Sequence, residues 1–188
     1  MRILGQFLLA ALLATAAWAE EPVLKEQPLT TVKASISIPD GWFVKEDTDD
    51  GVSVYHITLE KVQGDNDPFS VGLILTVTPK VPSRAEMKPS EYAKELLSSG
   101  VDDAKDVKKS EDGPFKILST EYSVDSDPGG DNSPTKSNDG LKMINVAKAN
   151  DSTGTLYFIT WENPSKDDAK YVDLRTKILA SLKLDPTF

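Results

Sequence analysis

Apolar and polar residues alternate along most of this chain, and the period names the elements. Val32, Ala34, Ile36 and Ile38 interleave with Lys33, Ser35 and Ser37, the two-residue period of a strand with one buried face. Pro39-Asp40-Gly41 ends that stretch as a turn, proline fixing φ and glycine relieving the bend, and Trp42 and Phe43 follow at once. Beyond the acidic turn Asp47-Thr48-Asp49-Asp50-Gly51, a second strand is predicted from about Val52 to Glu60. A third is predicted from Phe69 to Thr78. There Val71, Leu73, Leu75 and Val77 form one face and Ile74 contributes to the other, the pattern of a central strand covered on both sides. Strands return over Phe115 to Val124, Leu141 to Ala149 and Thr155 to Glu162, the last two as a hairpin around Asn150-Asp151-Ser152-Thr153-Gly154.

The period changes to 3.6 in two places. Tyr92, Ala93, Leu96 and Leu97 fall at helical spacing after Ser90, which reads as an N-cap, and Gly100 supplies the stop. Ser83-Arg84-Ala85-Glu86 has capping-box form and predicts a short turn of helix before it. Near the end, Tyr171, Leu174, Ile178 and Leu182 line one side of a helix, with Val172 and Leu179 beside them. Asn163-Pro164-Ser165 precedes it as a cap. Asp102 to Asp112 is charged and predicts at most an edge strand around Val107. Asp125 to Gly140, rich in Gly, Pro, Asp and Ser, predicts an exposed loop. The order β-β-β-α-β-β-β-α with hairpin-length turns predicts an α+β fold, a largely antiparallel sheet of about six strands flanked by helices in an α/β/α sandwich.

The first nineteen residues, MRILGQFLLAALLATAAWA, stand apart from this alternation. Arg2 opens them, Leu8 to Ala17 is apolar and uncharged, and Ala17 and Ala19 precede Glu20-Glu21. That is the form of a secretory signal peptide cleaved before Glu20, and it predicts a soluble protein of the bacterial periplasm or exterior with no membrane anchor after cleavage. Residues 20–28 then read as a flexible lead-in and residues 29–188 as a single domain. The formal net charge of −9 becomes one unit more negative once Arg2 is removed. Such a surface repels phosphate backbones, which argues against nucleic acid as a partner. With no cysteine and one histidine, His56, neither disulfides nor a zinc site of the usual kind is expected.

Two stretches carry a resemblance. Ile36-Ser37-Ile38-Pro39-Asp40-Gly41-Trp42, a first strand ending in Pro-x-x-Trp, resembles the opening of PsbP-like domains. So does the aromatic strand Leu156-Tyr157-Phe158-Ile159-Thr160-Trp161, followed by a helix closing in Ile178-Leu179-Ala180-Ser181-Leu182. The likeness covers the order of elements from about Leu29 to Leu184. That superfamily includes photosystem II extrinsic subunits, Ran-binding Mog proteins and DcrB-like envelope proteins. It implies an antiparallel sheet flanked by helices and a non-enzymatic role as partner or assembly factor. It also implies structural roles for Gly41, Trp42 and Trp161. The chain departs from its lipidated members in having no cysteine at the maturation site.

Candidate chemistry is sparse. His56 shares a strand face with Val54 and Thr58, with no nucleophile motif beside it. Ser133-Pro134-Thr135-Lys136 spells S-x-x-K, but Pro134 denies the pair a common helix face. Glu60, Glu121 and Glu162 lie in or at the ends of strands, where two facing one cleft would suit glycoside hydrolysis. Three acidic clusters remain: Asp47, Asp49 and Asp50; Asp65 and Asp67; and Asp125, Asp127 and Asp131. Asp in turns supplies oxygen ligands to Ca²⁺, and the third cluster is the calcium candidate, although none fits the EF-hand spacing. Trp42, Tyr157 and Trp161 suit either a pocket wall or a core. No catalytic residue and no cofactor is therefore assigned. The sequence favours an accessory or interaction protein, monomeric, with an envelope protein as partner. A small carboxylate hydrolase and a Ca²⁺-binding protein are the alternatives.

Overall fold

In the computed structural model, residues 22–64, 67–99, 107–124 and 140–188 are described. The predicted signal peptide with residues 20–21, residues 65–66, residues 100–106 and residues 125–139 lie outside them. In chain order the elements are β1 (Leu24–Leu29), β2 (Ala34–Pro39), β3 (Phe43–Asp49), β4 (Val52–Thr58), β5 (Gly72–Thr78), α1 (Val81–Ala85) and α2 (Pro89–Ser99). They continue with β6 (Lys108–Asp112), β7 (Phe115–Val124), β8 (Leu141–Asn150), β9 (Thr155–Pro164), α3 (Asp168–Ala180) and β10 (Lys183–Leu184). Seven strands form one sheet in the order β3-β4-β5-β9-β8-β7-β6, and β1-β2-β10 form a smaller one. Every pairing is antiparallel. The α+β class and the antiparallel sheet flanked by helices are as expected, with seven strands in the main sheet where six were predicted.

Register assigns each side chain to a face. Directly opposed residues Val44, Ile57, Leu73, Trp161 and Ile144 form one row across five strands. Tyr55, Leu75, Ile159 and Val146 form the next. Both rows lie in the larger core, which Ile36, Ile38 and Leu29 of the small sheet and Ile178 and Leu182 at the chain's end close from above. On the opposite face Leu118, Ala147, Ala149 and Leu156 pack under Val81, Ala93 and Leu97 of α1 and α2. The two-residue period thus divides one sheet between two cores.

Of the charged strands, β3 has no periodic signal, while β6 follows directly on Val107, where at most an edge strand is predicted. β3, Phe-Val-Lys-Glu-Asp-Thr-Asp, and β6, Lys-Lys-Ser-Glu-Asp, are the outer edges of the main sheet. Charge along an edge discourages further pairing and also erases the hydrophobic alternation that signals a strand. The lead-in expected over residues 20–28 is ordered in its second half. β1 pairs with β2 from Leu24↔Pro39 to Leu29↔Ala34, and its polar composition reflects an edge strand in which Pro28 is tolerated. The first predicted strand begins later than expected, because Thr30–Val32 is a 3₁₀ turn closed by Lys33 at φ +48°.

Capping also differs in detail. Ser90 is not the N-cap of α2; it lies inside the first turn, which begins at Pro89. Its amide and hydroxyl donate to the carboxylate of Asp151, at 2.9 and 2.8 Å, and Lys116 donates to the same carboxylate at 2.8 Å. Burial alone would raise the Asp151 pKa, but these donors outweigh it and hold the value below the usual range. An anion from the β8–β9 turn therefore complements the positive end of α2. Glu91 reaches back to the Lys88 amide at 3.2 Å, half of a capping box.

Gly72 of β5 leaves no room for a side chain against its neighbour β4. A Cβ there would lie 2.6 Å from the Ile57 carbonyl oxygen and 2.9 Å from the Thr58 Cα, both backbone atoms. Gly72→Ala is expected to cost about 3 kcal/mol, the upper range for overpacking, since backbone cannot rotate away. Urea unfolding checks this, and a loss under about 0.5 kcal/mol, the scale of a neutral surface change, would refute the close approach.

Candidate functional site

The second face of the main sheet changes character along its strands. Under α2 it is apolar, in the rows Leu156–Ala149 and Phe158–Ala147–Leu118. Two residues further on it turns polar. Opposed residues Lys45, His56, Ile74, Thr160, Asn145 and Thr120 make one row across six strands. Phe43, Thr58, Gly72, Glu162, Met143 and Tyr122 make the next. Although polar, much of this stripe is removed from water: His56, Thr58, Thr120, Asn145 and Glu162 are all buried.

Hydrogen bonding in the stripe is incomplete. Asn145 donates its amide to the Tyr122 hydroxyl at 3.3 Å, while its Oδ1 and the Thr120 Oγ1 are buried without partners. Thr58 donates its hydroxyl to the Glu60 carbonyl at 2.6 Å. Burial pushes the Glu162 carboxyl above its ordinary value. Glu121, on the opposite face, behaves in the reverse sense. Lys142, at 2.8 Å, holds its pKa down against partial burial, and Arg175 lies 4.0 Å away. Arg175, buried on the inner side of α3, is itself paired with Asp168.

The aromatic candidates sit in the larger core. Trp161 is fully buried and donates its indole N–H to Asn163 at 2.7 Å. Trp42 lies half-buried against it, ring centres 6.1 Å apart and planes 27° from parallel. It packs onto the sheet face, not over the sheet's end. Gly41 takes φ +84°, which suits glycine at that turn. Tyr157 packs edge-on to Phe115 at 6.1 Å, and burial raises its hydroxyl pKa to about 12.

The acidic clusters act within turns. Asp67 accepts from the amides of Gln63 and Gly64, both at 2.8 Å. Asp50 pairs with Arg84 at 2.7 Å, and Asp47 with Lys45 at 2.8 Å. Glu60 accepts from the Ser70 hydroxyl and, at 3.1 Å, from its amide. Asp65, the calcium candidates Asp125, Asp127 and Asp131, and the Ser133–Lys136 motif lie outside the described residues. No group of three or more His, Asp or Glu side chains gathers as a metal site among the described residues.

Sequence reasoning missed one further feature, a groove of about 380 Å³ between α2 and the β6–β7 hairpin. Lys94, Lys109, Lys116 and Glu111 line it together with Leu118, whose side chain faces α2. The three lysines come from three elements, so no local motif announces it.

This arrangement is the PsbP-like fold that the sequence resembles. The cyanobacterial PsbP protein CyanoP from Synechocystis sp. PCC 6803 superposes with a TM-score of 0.55 at 13% identity, over 92% of this chain and 99% of that one. A chain from Bacteroides thetaiotaomicron VPI-5482 gives 0.50 at 10% identity, and 86% of this chain spans 48% of that one. The Ran-binding protein Mog1p of Saccharomyces cerevisiae gives 0.48 at 13% identity, over 87% and 96% of the two chains. No family model and no curated protein matches the sequence. Among the described residues no helix is long and apolar enough to cross a membrane.

Trp42→Ala removes half of the Trp pair and is expected to cost about 3 kcal/mol, the low end for a core aromatic because Trp42 is only half-buried. Thermal unfolding measures it, and an unchanged melting temperature would assign Trp42 to a surface role. Glu162 generates a pH prediction. Its folded pKa lies above the unfolded value near 4.5. The stability it contributes is therefore complete below that value and is lost as pH rises through the folded pKa. Glu162→Gln is expected to remove that slope and leave the variant more stable than the parent at neutral pH. Unfolding curves from pH 4 to 8 (roughly the span on either side of such a shifted carboxylate) test it, and a variant less stable at every pH would refute it.

Proposed function

We propose that this is an exported accessory protein of the bacterial envelope that works by binding another protein and not by catalysis. The observation that carries the reading is the separation of its carboxylates. Glu121 and Glu162 point from opposite faces of the sheet, since Glu121 opposes Ile144 and Glu162 opposes Met143. Glu60 is held in a turn by Ser70. Glycoside hydrolysis needs two carboxyl groups across one cleft, and this register supplies none between Glu121 and Glu162. The signal-peptide form of residues 1–19 supports export. The groove between α2 and β6 supports protein contact, because it adjoins an exposed outer strand.

Capture from envelope extract tests this. The protein is expected to retain one defined envelope protein, and Lys94→Glu with Lys109→Glu is expected to abolish retention without changing the fold. Retention unaffected by the charge reversal would move the contact elsewhere. Hydrolytic turnover lost on Glu121→Gln or Glu162→Gln would replace the reading with an enzyme.

A further inference from the structure

We propose that β6 is a self-association edge, pairing antiparallel with β6 of a second copy about a two-fold axis at Ser110. β6 reads Lys108-Lys109-Ser110-Glu111-Asp112. Laid antiparallel on itself with Ser110 opposite Ser110, it sets Lys108 opposite Asp112 and Lys109 opposite Glu111. The two-fold symmetry repeats each pair. Every charge then meets its opposite, the arrangement that stabilises cross-strand neighbours. One patch serves both copies, as a two-fold interface requires.

Backbone geometry permits this register. β6 ends the main sheet, with β7 as its neighbour there. Asp112 and Phe115 close the β6–β7 hairpin across a two-residue turn, Gly113-Pro114, with Gly113 at φ +57°. In such a hairpin the closing pair exchanges both backbone bonds, and bonded and non-bonded pairs alternate from there. Asp112, Ser110 and Lys108 therefore bond β7, and Lys109 and Glu111 turn their N–H and C=O groups outward. Antiparallel pairing joins outward residues to outward residues, and a centre at Ser110 does so by setting Lys109 against Glu111. Centres at Lys109 or Glu111 also satisfy the backbone, but they oppose lysine to lysine or glutamate to glutamate. The charges thus choose among the registers that the backbone allows.

All five side chains of β6 are exposed, and none of them forms an ion pair among the described residues. α2 packs mainly on β7, β8 and β9, one strand in from this edge. β3, the other outer strand, lacks the symmetry: its central residue, Glu46, would oppose itself. Edge charge discourages pairing with strands in general, but a self-complementary edge accepts another copy. Lys109 and Glu111 also line the groove beside α2, so the second copy supplies each groove's Lys109 with a carboxylate. The net charge of −9 repels two copies at long range. That repulsion is screened beyond about 10 Å in about 0.1 M salt, whereas the opposed pairs act at contact. A dimer departs from the monomer that the sequence favours.

Sedimentation equilibrium of the protein purified after export, in about 0.1 M salt, is expected to show a monomer–dimer equilibrium. Lys108→Glu with Lys109→Glu, and separately Glu111→Lys with Asp112→Lys, are each expected to weaken it about a hundredfold or more. Each opposed pair is worth about two- to fivefold, and reversal turns attraction into repulsion. An equal mixture of the two variants regains complementarity at every position and is expected to restore the dimer. Thermal unfolding of both variants is expected to match the parent, because the substituted side chains are exposed. A parent chain that stays monomeric up to about 1 mM overturns the pairing. So does a dimer that persists in either variant, or a mixture that stays monomeric. Capture of an envelope protein is read separately with Lys94→Glu, on α2 and outside β6, so either reading can fail without the other.

Discussion

In β9 the side chains of Tyr157, Ile159 and Trp161 and, on the other side, Leu156 are all removed from water. A strand buried on both faces must lie at the middle of its sheet with a layer above and a layer below. β9 does: it is the fourth of seven strands, with β5 and β8 bonded to its two edges. From that constraint the rest follows. The odd-numbered face requires a cover broad enough for two aromatic rings, which the small β1-β2-β10 sheet and α3 supply. The even-numbered face requires only a narrow cover for Leu156, Ala147 and Ala149, and α2 supplies it. Slipping β9 by one residue would place Trp161 where Glu162 stands, so the register is strongly specified.

Along the strands, the face that α2 covers then changes chemistry. Eleven residues span about 16 Å, enough to cover the rows at Leu156 and Phe158. The Asp151 carboxylate fixes one end of the helix over the β8–β9 turn. Beyond the helix the same strands carry Thr160, Asn145, Thr120 and Glu162. The apolar core and the polar stripe are therefore two ends of one sheet face. Gly72 sits within the stripe opposite Glu162 and brings no side chain to that row. Thr58 and Glu162 thus flank a position without a side chain.

Alternation made the interior strands legible. Ile36, Ile38 and the Val71-to-Val77 face are legible as buried and are buried, because burial on one or both faces writes itself into the residue order. The edges were not legible for the converse reason. β3 and β6 are rich in charge, and β1 hides a proline and three polar residues in a strand that only long-range pairing with β2 makes regular. Gly41, Trp42 and Trp161 were placed as structural residues, and the Trp pair is a core contact. The polar stripe was half legible. Glu162 and His56 stood out by type, but Asn145 and Thr120 are ordinary strand residues until the register sets them beside Glu162. No local pattern encodes a row across six strands. The lysine groove was hidden for the same reason.

The stripe also bears on stability. A buried acceptor without a donor costs about 1–3 kcal/mol, and a domain of this size is stable by only about 5–15 kcal/mol. Thr120 and Asn145 each present such an acceptor and together burden the fold by a sizeable part of its margin. Replacing them with apolar residues would extend the core already present under α2, at no geometric cost to the sheet. The fold has no need of their polarity, since the neighbouring rows show that Leu, Phe and Ala fill the same face.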